Sequence, residues 1–310
     1  MYEIKKSIEQ GNPLGLYKIL KQLQEVNAGL AGKVYFVECN AGNDSNDPEA
    51  GQSWDRAYKK LSFAITASNA EIANSSLGHG RGWAARNTIF IKGDACTEDL
   101  STAPQKCDVI GVGSCDAEPR ARIIGAHTFT GAAAQQGTRF FNLEFVNDAS
   151  AAIFTVTTPR GIEWHDCWFT EGEGCTHAIV TDGATGTRVV IKDCIFRPRN
   201  NGTKFATSAI DISTVATYGL EITGCIIDGT IGIDIDSTTM TQAYVLNNII
   251  VATTFCIDDE SDGIIIAGNL MVTATTEAGG FDHSGAATMV GNILTSSDDT
   301  RTLPFATIAT

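Results

Sequence analysis

From Thr88 onward the chain consists of short apolar stretches in which hydrophobic and polar residues alternate, as in "TIFIKG", "CDVIGVG", "RARIIG" and "RFFNLEF", separated by Gly, Asn, Asp and Thr. Alternation with period two predicts half-buried strands, and the separators predict tight bends. One eight-residue shape recurs: "IEWHDCWF" at 162–169, "VVIKDCIF" at 189–196 and "LEITGCII" at 220–227. Aligning it extends the series to "FFNLEF", "VLNNII", "IAGNLM" and "MVGNIL", with Leu143, Cys167, Cys194, Cys225, Asn248, Asn269 and Asn292 at the marker position. Successive markers are 24, 27, 31, 23, 21 and 23 residues apart. An internal period in the twenties with β texture predicts a solenoid, and a leucine-rich-repeat pattern is absent. Each period carries a second strand, in "AAIFTV", "HAIVTD", "SAIDIS", "IGIDID", "FCIDDE" and "GGFDHS". Two or three short strands per turn make an all-β parallel β-helix, in which equivalent positions stack from turn to turn. Cys167, Cys194 and Cys225 are then expected to form one ladder inside a corner, continued by Asn248, Asn269 and Asn292, whose amides can close the hydrogen bonds of a bend.

The region before the repeats reads differently. Asn12 and Pro13 open a helix on which Leu16, Ile19, Leu20 and Leu23 share one face, continued by Val26. This helical arm, residues 1–32, packs either on the rest of the chain or on another protein. "VYFVE" at 34–38 reads as a strand, followed by the polar loop "CNAGNDSNDPEAGQ", whose acids are expected to serve as turn formers rather than calcium ligands. A helix is expected from Ser53 as N-cap, with Trp54, Ala57, Tyr58, Leu61, Ala64 and Ile65 on one face, covering the first turn of the coil. The resulting division is an arm at 1–32, a strand, loop and capping helix at 33–87, the β-helix at 88–296 and a tail at 297–310 that closes the far end or runs onto a partner.

Composition narrows the function classes. Thirty-six acidic against 22 basic residues give a net charge of −14, which disfavours nucleic acid and anionic membrane as partners. No apolar run approaches the roughly 18 residues of a membrane span, and "MYEIKKSIEQ" lacks the plan of a cleaved leader. The nine cysteines, Cys39, Cys96, Cys107, Cys115, Cys167, Cys175, Cys194, Cys225 and Cys256, include no CxxC pair and are expected to be reduced, buried thiols.

The stretch "VYFVECNAGNDSNDPEAGQSWDRAYKKLSFAI", the later "DVIGVGSCDAEPRARIIG" and the recurring "xxDCxF" and "xxGNxI" turns resemble right-handed parallel β-helix proteins of the pectate-lyase-like superfamily. Within it they are most similar to proteins encoded by tailed bacteriophages. The resemblance covers about residues 34–296. It implies a virion structural protein: a capsid-decoration or spike component, typically trimeric, placed on the capsid surface after synthesis in the bacterial cytoplasm. Its partners would be its own copies and the major capsid protein or other virion proteins. In some members of the group the resemblance implies a tailspike that cuts polysaccharide.

Candidate chemistry is sparse. Asp211, Asp234, Asp258 and Asp282 fall at one equivalent position, with Asp236 and Glu260 two residues further on, and the intervening apolar residues direct these acids outward. Turns about 4.8 Å apart place neighbouring carboxylates near the roughly 5 Å separation of retaining glycosidases. A solvated or subunit-contacting face, a cation site and a hydrolytic cleft therefore remain open readings of this column. Arg160, Arg188, Arg197 and Arg199, and His127, His165, His177 and His283, form no metal or lyase pattern. Trp164 and Trp168 have the same parity beside Phe169, which predicts an aromatic face able to contact a protomer or stack on a glycan. No catalytic residue, cofactor or metal ligand is assigned. The expectation is a non-enzymatic structural protein, with a polysaccharide-degrading enzyme or glycan-binding adhesin as the alternative.

Overall fold

In the computed structural model the described residues are 32–310, apart from 48, 74–85, 94, 114–119, 132–135, 199–203, 215, 238, 274–280, 284–286, 296–299, 303–305 and 308–310. The arm with Leu16, Ile19, Leu20 and Leu23 lies outside them. The chain forms a parallel β-solenoid of about eight turns. The first sheet stacks Val34–Glu38, Asn87–Lys92, Cys107–Gly111, Thr138–Phe141, Arg160–His165, Gly186–Lys192, Ala216–Thr223, Ala243–Leu246, Ile264–Ala267 and Thr288–Val290 in that order. The second sheet wraps the other two faces of the coil, and its long strands Ile226–Ile235 and Ile249–Asp259 run across both of them.

The corner between the first and second sheets explains the repeated motif. Its leading residue is Asn142, Asp166, Asp193, Gly224, Asn247, Gly268 or Gly291, each with φ between 50° and 70°. Gly, Asn and Asp are the residues that enter this left-handed region most readily. The kink turns the following residue into the bore, where Cys167, Cys194, Cys225, Asn248, Asn269 and Asn292 are buried and stacked through the register of the flanking strands. Asn269 accepts from the Asn248 backbone N–H at 2.9 Å and from the Asn248 amide at 3.0 Å. Its own amide donates to the Val245 carbonyl and to Asn292 Oδ1, both at 2.9 Å. The Cys225 backbone N–H donates to Asn248 Oδ1 at 2.8 Å, which joins the two ladders. In the cysteine half, the Sγ atoms of Cys194 and Cys225 lie 3.3 and 3.5 Å from the carbonyls of Lys192 and Thr223. Burial pushes both thiols well above their ordinary pKa, so they are inert.

The bore is aromatic in the middle turns and aliphatic beyond them. Phe169 stacks on Phe196 with ring centroids 4.6 Å apart, and Phe140, Phe145, Phe154 and Trp164 pack edge-on or stacked nearby.

Both ends are closed. At the first turn, the helix Leu61–Ala73 buries Leu61, Ala64, Ile65 and Ser68 against the coil. The helix differs from the sequence expectation. Ser53 makes no capping bond, Trp54–Arg56 is a short 3-10 turn, and Ala57 is extended with ψ 145°. The Tyr58 backbone instead pairs with the first strand, donating to the Phe36 carbonyl at 2.9 Å. The helix N-terminus is capped from far along the chain: Glu98 accepts from the Leu61 and Ser62 N–H groups at 2.6 and 3.0 Å. Asp44 accepts from the Lys59 and Lys60 N–H groups, and Asp47 from that of Glu49, so these loop acids serve as backbone caps. At the last turn, Thr300–Thr302 and Ala306–Thr307 return antiparallel along Ile293–Thr295 and Thr288–Val290 and cover the final sheet edges.

The expectation that all cysteines are reduced is overturned at one pair. Cys39, at the end of the first strand, is bonded to Cys96, 57 residues away. Cys107, Cys167, Cys175, Cys194, Cys225 and Cys256 are buried thiols.

Replacing Asn269 with Ala strands the Asn248 N–H and the Val245 carbonyl in the bore, with an expected cost of about 3–5 kcal/mol by denaturant unfolding. Thr295→Ala on the outer surface should stay within about 0.5 kcal/mol.

Candidate functional site

The acid column forms as the sequence predicts. Strand register places Asp211 beside Asp234, Asp234 beside Asp258, and Asp258 beside Asp282. Asp236, Glu260 and Asp282 are exposed, whereas Asp211, Asp234 and Asp258 are half-buried. Partial burial raises the Asp234 carboxyl to about 7, reinforced by the charges of Asp236, Asp211, Asp258 and Glu260. Asp211 and Asp258 are also raised, by burial first and then by neighbouring acids, with Ser213 opposing the shift at Asp211. His177 Nε2 lies 3.6 Å from Asp211 Oδ2. Burial lowers the pKa of His177, so it neutralises the column little at pH 7. Among the described residues no group of three or more His, Cys, Asp and Glu side chains is arranged to hold a metal ion.

The expected aromatic face does not form. The left-handed residue Asp166 interrupts the alternation between Trp164 and Trp168. Trp164 and Phe169 therefore point into the bore and are fully buried, whereas Trp168 points out. The guanidinium groups of Arg120 and Arg197 lie over the Trp168 ring at 4.4 and 4.1 Å. A sugar could stack there only by displacing a cation–π partner.

The outer surface of the early and middle turns is a charged network. Arg139 makes a two-pronged bond to Asp108 at 2.7 Å in both contacts, and Arg86 joins at 2.8 Å. Glu144 is buried and takes Arg122 and Thr170, both at 2.8 Å, with Arg197 at 3.4 Å. Burial alone would raise Glu163, but hydrogen bonds from His165 and Arg188 hold it at about 2. These acids already have partners, so the network reads as surface cross-bracing. At the first turn, a shallow cleft of about 210 Å³ lies between Gly42, Asn43, Asp47, Trp54 and Arg56, below the ~300 Å³ at which small-molecule sites begin.

The surface changes character along the coil. On both flanks of the first corner, most outward positions of the last turns are apolar, with Thr288 and Thr295 polar in the final turn. Tyr244 and Ile265 stack on the first-sheet flank; Ile226, Ile249, Leu270 and Ile293 stack on the second. These are six of the nine exposed large apolar side chains among the described residues, each 36–44% accessible. Leu246, Ala267, Val290, Val251 and Val272 are half-buried between and beside them. Residues 243–257, 264–273 and 287–295 contain no charged side chain. The sequence reading missed this surface, although the signal was within its own motif: the residue after each marker is Ile226, Ile249, Leu270 or Ile293, and the kink turns it outward.

No family model, curated protein or solved structure matches the chain.

Asp234 provides a pH test of the column. Its folded pKa lies above the unfolded value of about 3.9, so the folded protein binds the proton more tightly and gains stability as pH falls from above 7 towards 4. Asp234→Asn should stabilise the protein at pH 8 by on the order of 1 kcal/mol after solvent screening, and should flatten the stability profile between pH 8 and 5. Thermal melts across that range check it.

Proposed function

We propose that this chain is a non-enzymatic structural protein of a tailed-bacteriophage particle. It would sit on the capsid surface as a trimeric β-helix that decorates or stabilises the shell, with copies of itself and the capsid protein as partners. The observation that carries this reading is the uncharged apolar corner of the last turns, because a contiguous apolar patch on a rigid, ordered surface marks a protein contact. The resemblance of the opening stretch and the turn motifs to phage β-helix proteins supplies the setting. Two further features support the reading. The Cys39–Cys96 bond suits a protein that functions outside the reducing cytoplasm. Cross-braced outer faces and closed coil ends suit a part that bears load rather than one that opens and closes. The apolar stripe Leu16, Ile19, Leu20 and Leu23 is the proposed attachment to the shell.

A second reading, cleavage of a host polysaccharide, is favoured by Asp234. A carboxyl that keeps its proton near neutrality beside carboxylates on adjacent turns meets the acid–base requirement of glycoside hydrolysis.

Mass spectrometry of purified phage particles separates the two. A large, fixed copy number relative to the major capsid protein is the expected result; absence from the particle overturns the structural reading, and a few copies per particle transfers support to a spike enzyme.

A further inference from the structure

We propose that the apolar corner of the last turns is the surface through which copies of this chain associate side by side, the first-sheet flank of one copy packing on the second-sheet flank of the next to close a ring of three. This inference rests on the trimeric part of the function proposed above and assigns it a surface.

Electrostatics selects the partner. At a net charge of −14, two copies repel wherever they approach through surfaces that share the excess of acid. The corner strands, residues 243–257, 264–273 and 287–295, are an uncharged stretch against which another acidic chain can be brought without juxtaposing like charges. Asp228, just beyond Ile226 on the second flank, is paired with Lys204 at 2.7 Å. An acidic coil therefore associates with itself most readily here.

The closed ends select the direction. The helix Leu61–Ala73 covers the first turn and the returning strands cover the last, so end-to-end stacking through open sheet edges is blocked. Lateral contact remains. Identical coils lying parallel share the same spacing of about 4.8 Å between turns, so side chains of one flank can seat between those of the other, turn by turn.

The shape of the patch selects the symmetry. Its two flanks are unlike: Tyr244 and Ile265 on one side, Ile226, Ile249, Leu270 and Ile293 on the other. They meet at the convex ridge formed by Asn247, Gly268 and Gly291. A pair of copies joined flank to flank leaves one flank of each uncovered. A head-to-tail contact that closes by rotation buries both, and three is the smallest number of copies that achieves this. Two outward columns per flank, about 7 Å apart on turns about 4.8 Å apart, give roughly 500 Å² for the two flanks together. That total sits at the upper end of apolar patches on monomers; each contact takes about half of it, roughly 250 Å² of apolar area per partner, as the core of an interface completed by the adjoining polar rim, and closing the ring covers both flanks of every copy.

The test is the solution mass of the purified full chain by light scattering at micromolar concentration. The expected result is about three times the 32.9 kDa monomer. Ile249→Asp/Leu270→Asp on one flank and Tyr244→Asp/Ile265→Asp on the other should each yield monomer with unchanged far-ultraviolet circular dichroism. Phe63→Asp, at an exposed position of the helix Leu61–Ala73 over the first turn, should leave the trimer intact. Should an aspartate pair impair folding, Ile249→Thr/Leu270→Thr keeps strand-compatible side chains and should weaken association at least tenfold. Wild-type trimer with flank variants that remain trimeric overturns the assigned surface and leaves the trimeric reading standing. A wild-type monomer overturns both, and a wild-type dimer overturns the ring.

Discussion

Each turn of this coil must bend sharply inside its own core without leaving a buried amide or carbonyl unpaired, and the rest of the structure depends on how that is met. A left-handed residue makes the bend, and the next residue turns inward to supply hydrogen bonds that the interrupted strands cannot. Stacking converts a local solution into a long-range one: Asn248, Asn269 and Asn292 each complete the bend of the turn beside them, so the axial order of the coil and the local geometry of its corner are the same set of bonds. In the Cys167, Cys194 and Cys225 half, small thiols fill the same position with weaker contacts to carbonyls, beside an aromatic bore that contributes more by burial.

The corner also governs the outer surface. Because the kink resets the alternation of in and out, the residue after each marker position is directed away from the bore, where Glu144 is covered by its partners and Ile226, Ile249, Leu270 and Ile293 are exposed. In the early turns the columns around this corner carry Arg139 bonded to Asp108, Arg122 bonded to Glu144, and Glu163 bonded to Arg188, each across turns. In the last turns they carry Tyr244, Ile249, Ile265, Leu270 and Ile293, which have no such partners to satisfy and leave apolar area exposed. One architecture thus presents a cross-braced polar part and an exposed apolar part, and the acid column on the third face adds a band where carboxyls crowd until Asp234 holds a proton near neutrality.

The repeat was legible because bends restrict residue type severely: few residues tolerate positive φ, and few small polar or thiol side chains fit the inward position behind it. The acid column was legible for the same reason, since its alternation with Ile210, Ile233 and Ile257 runs through uninterrupted strand. The Trp164 and Trp168 parity failed where the left-handed Asp166 lay between them, a break that counting by twos does not register. The helix start differs from the expectation because the Tyr58 backbone pairs with a strand and Glu98, distant in sequence, provides the cap expected of Ser53. The Cys39–Cys96 bond joins residues outside the repeat register, so no periodicity announced it.

In the proposed assembly the apolar corner is a buried contact between copies. Electron cryo-microscopy of the purified full chain tests it most directly. The expected map shows three parallel coils with Tyr244, Ile249 and Leu270 turned towards the common axis and packed against neighbouring copies. A map in which these side chains face solvent, whatever the number of coils, would contradict it.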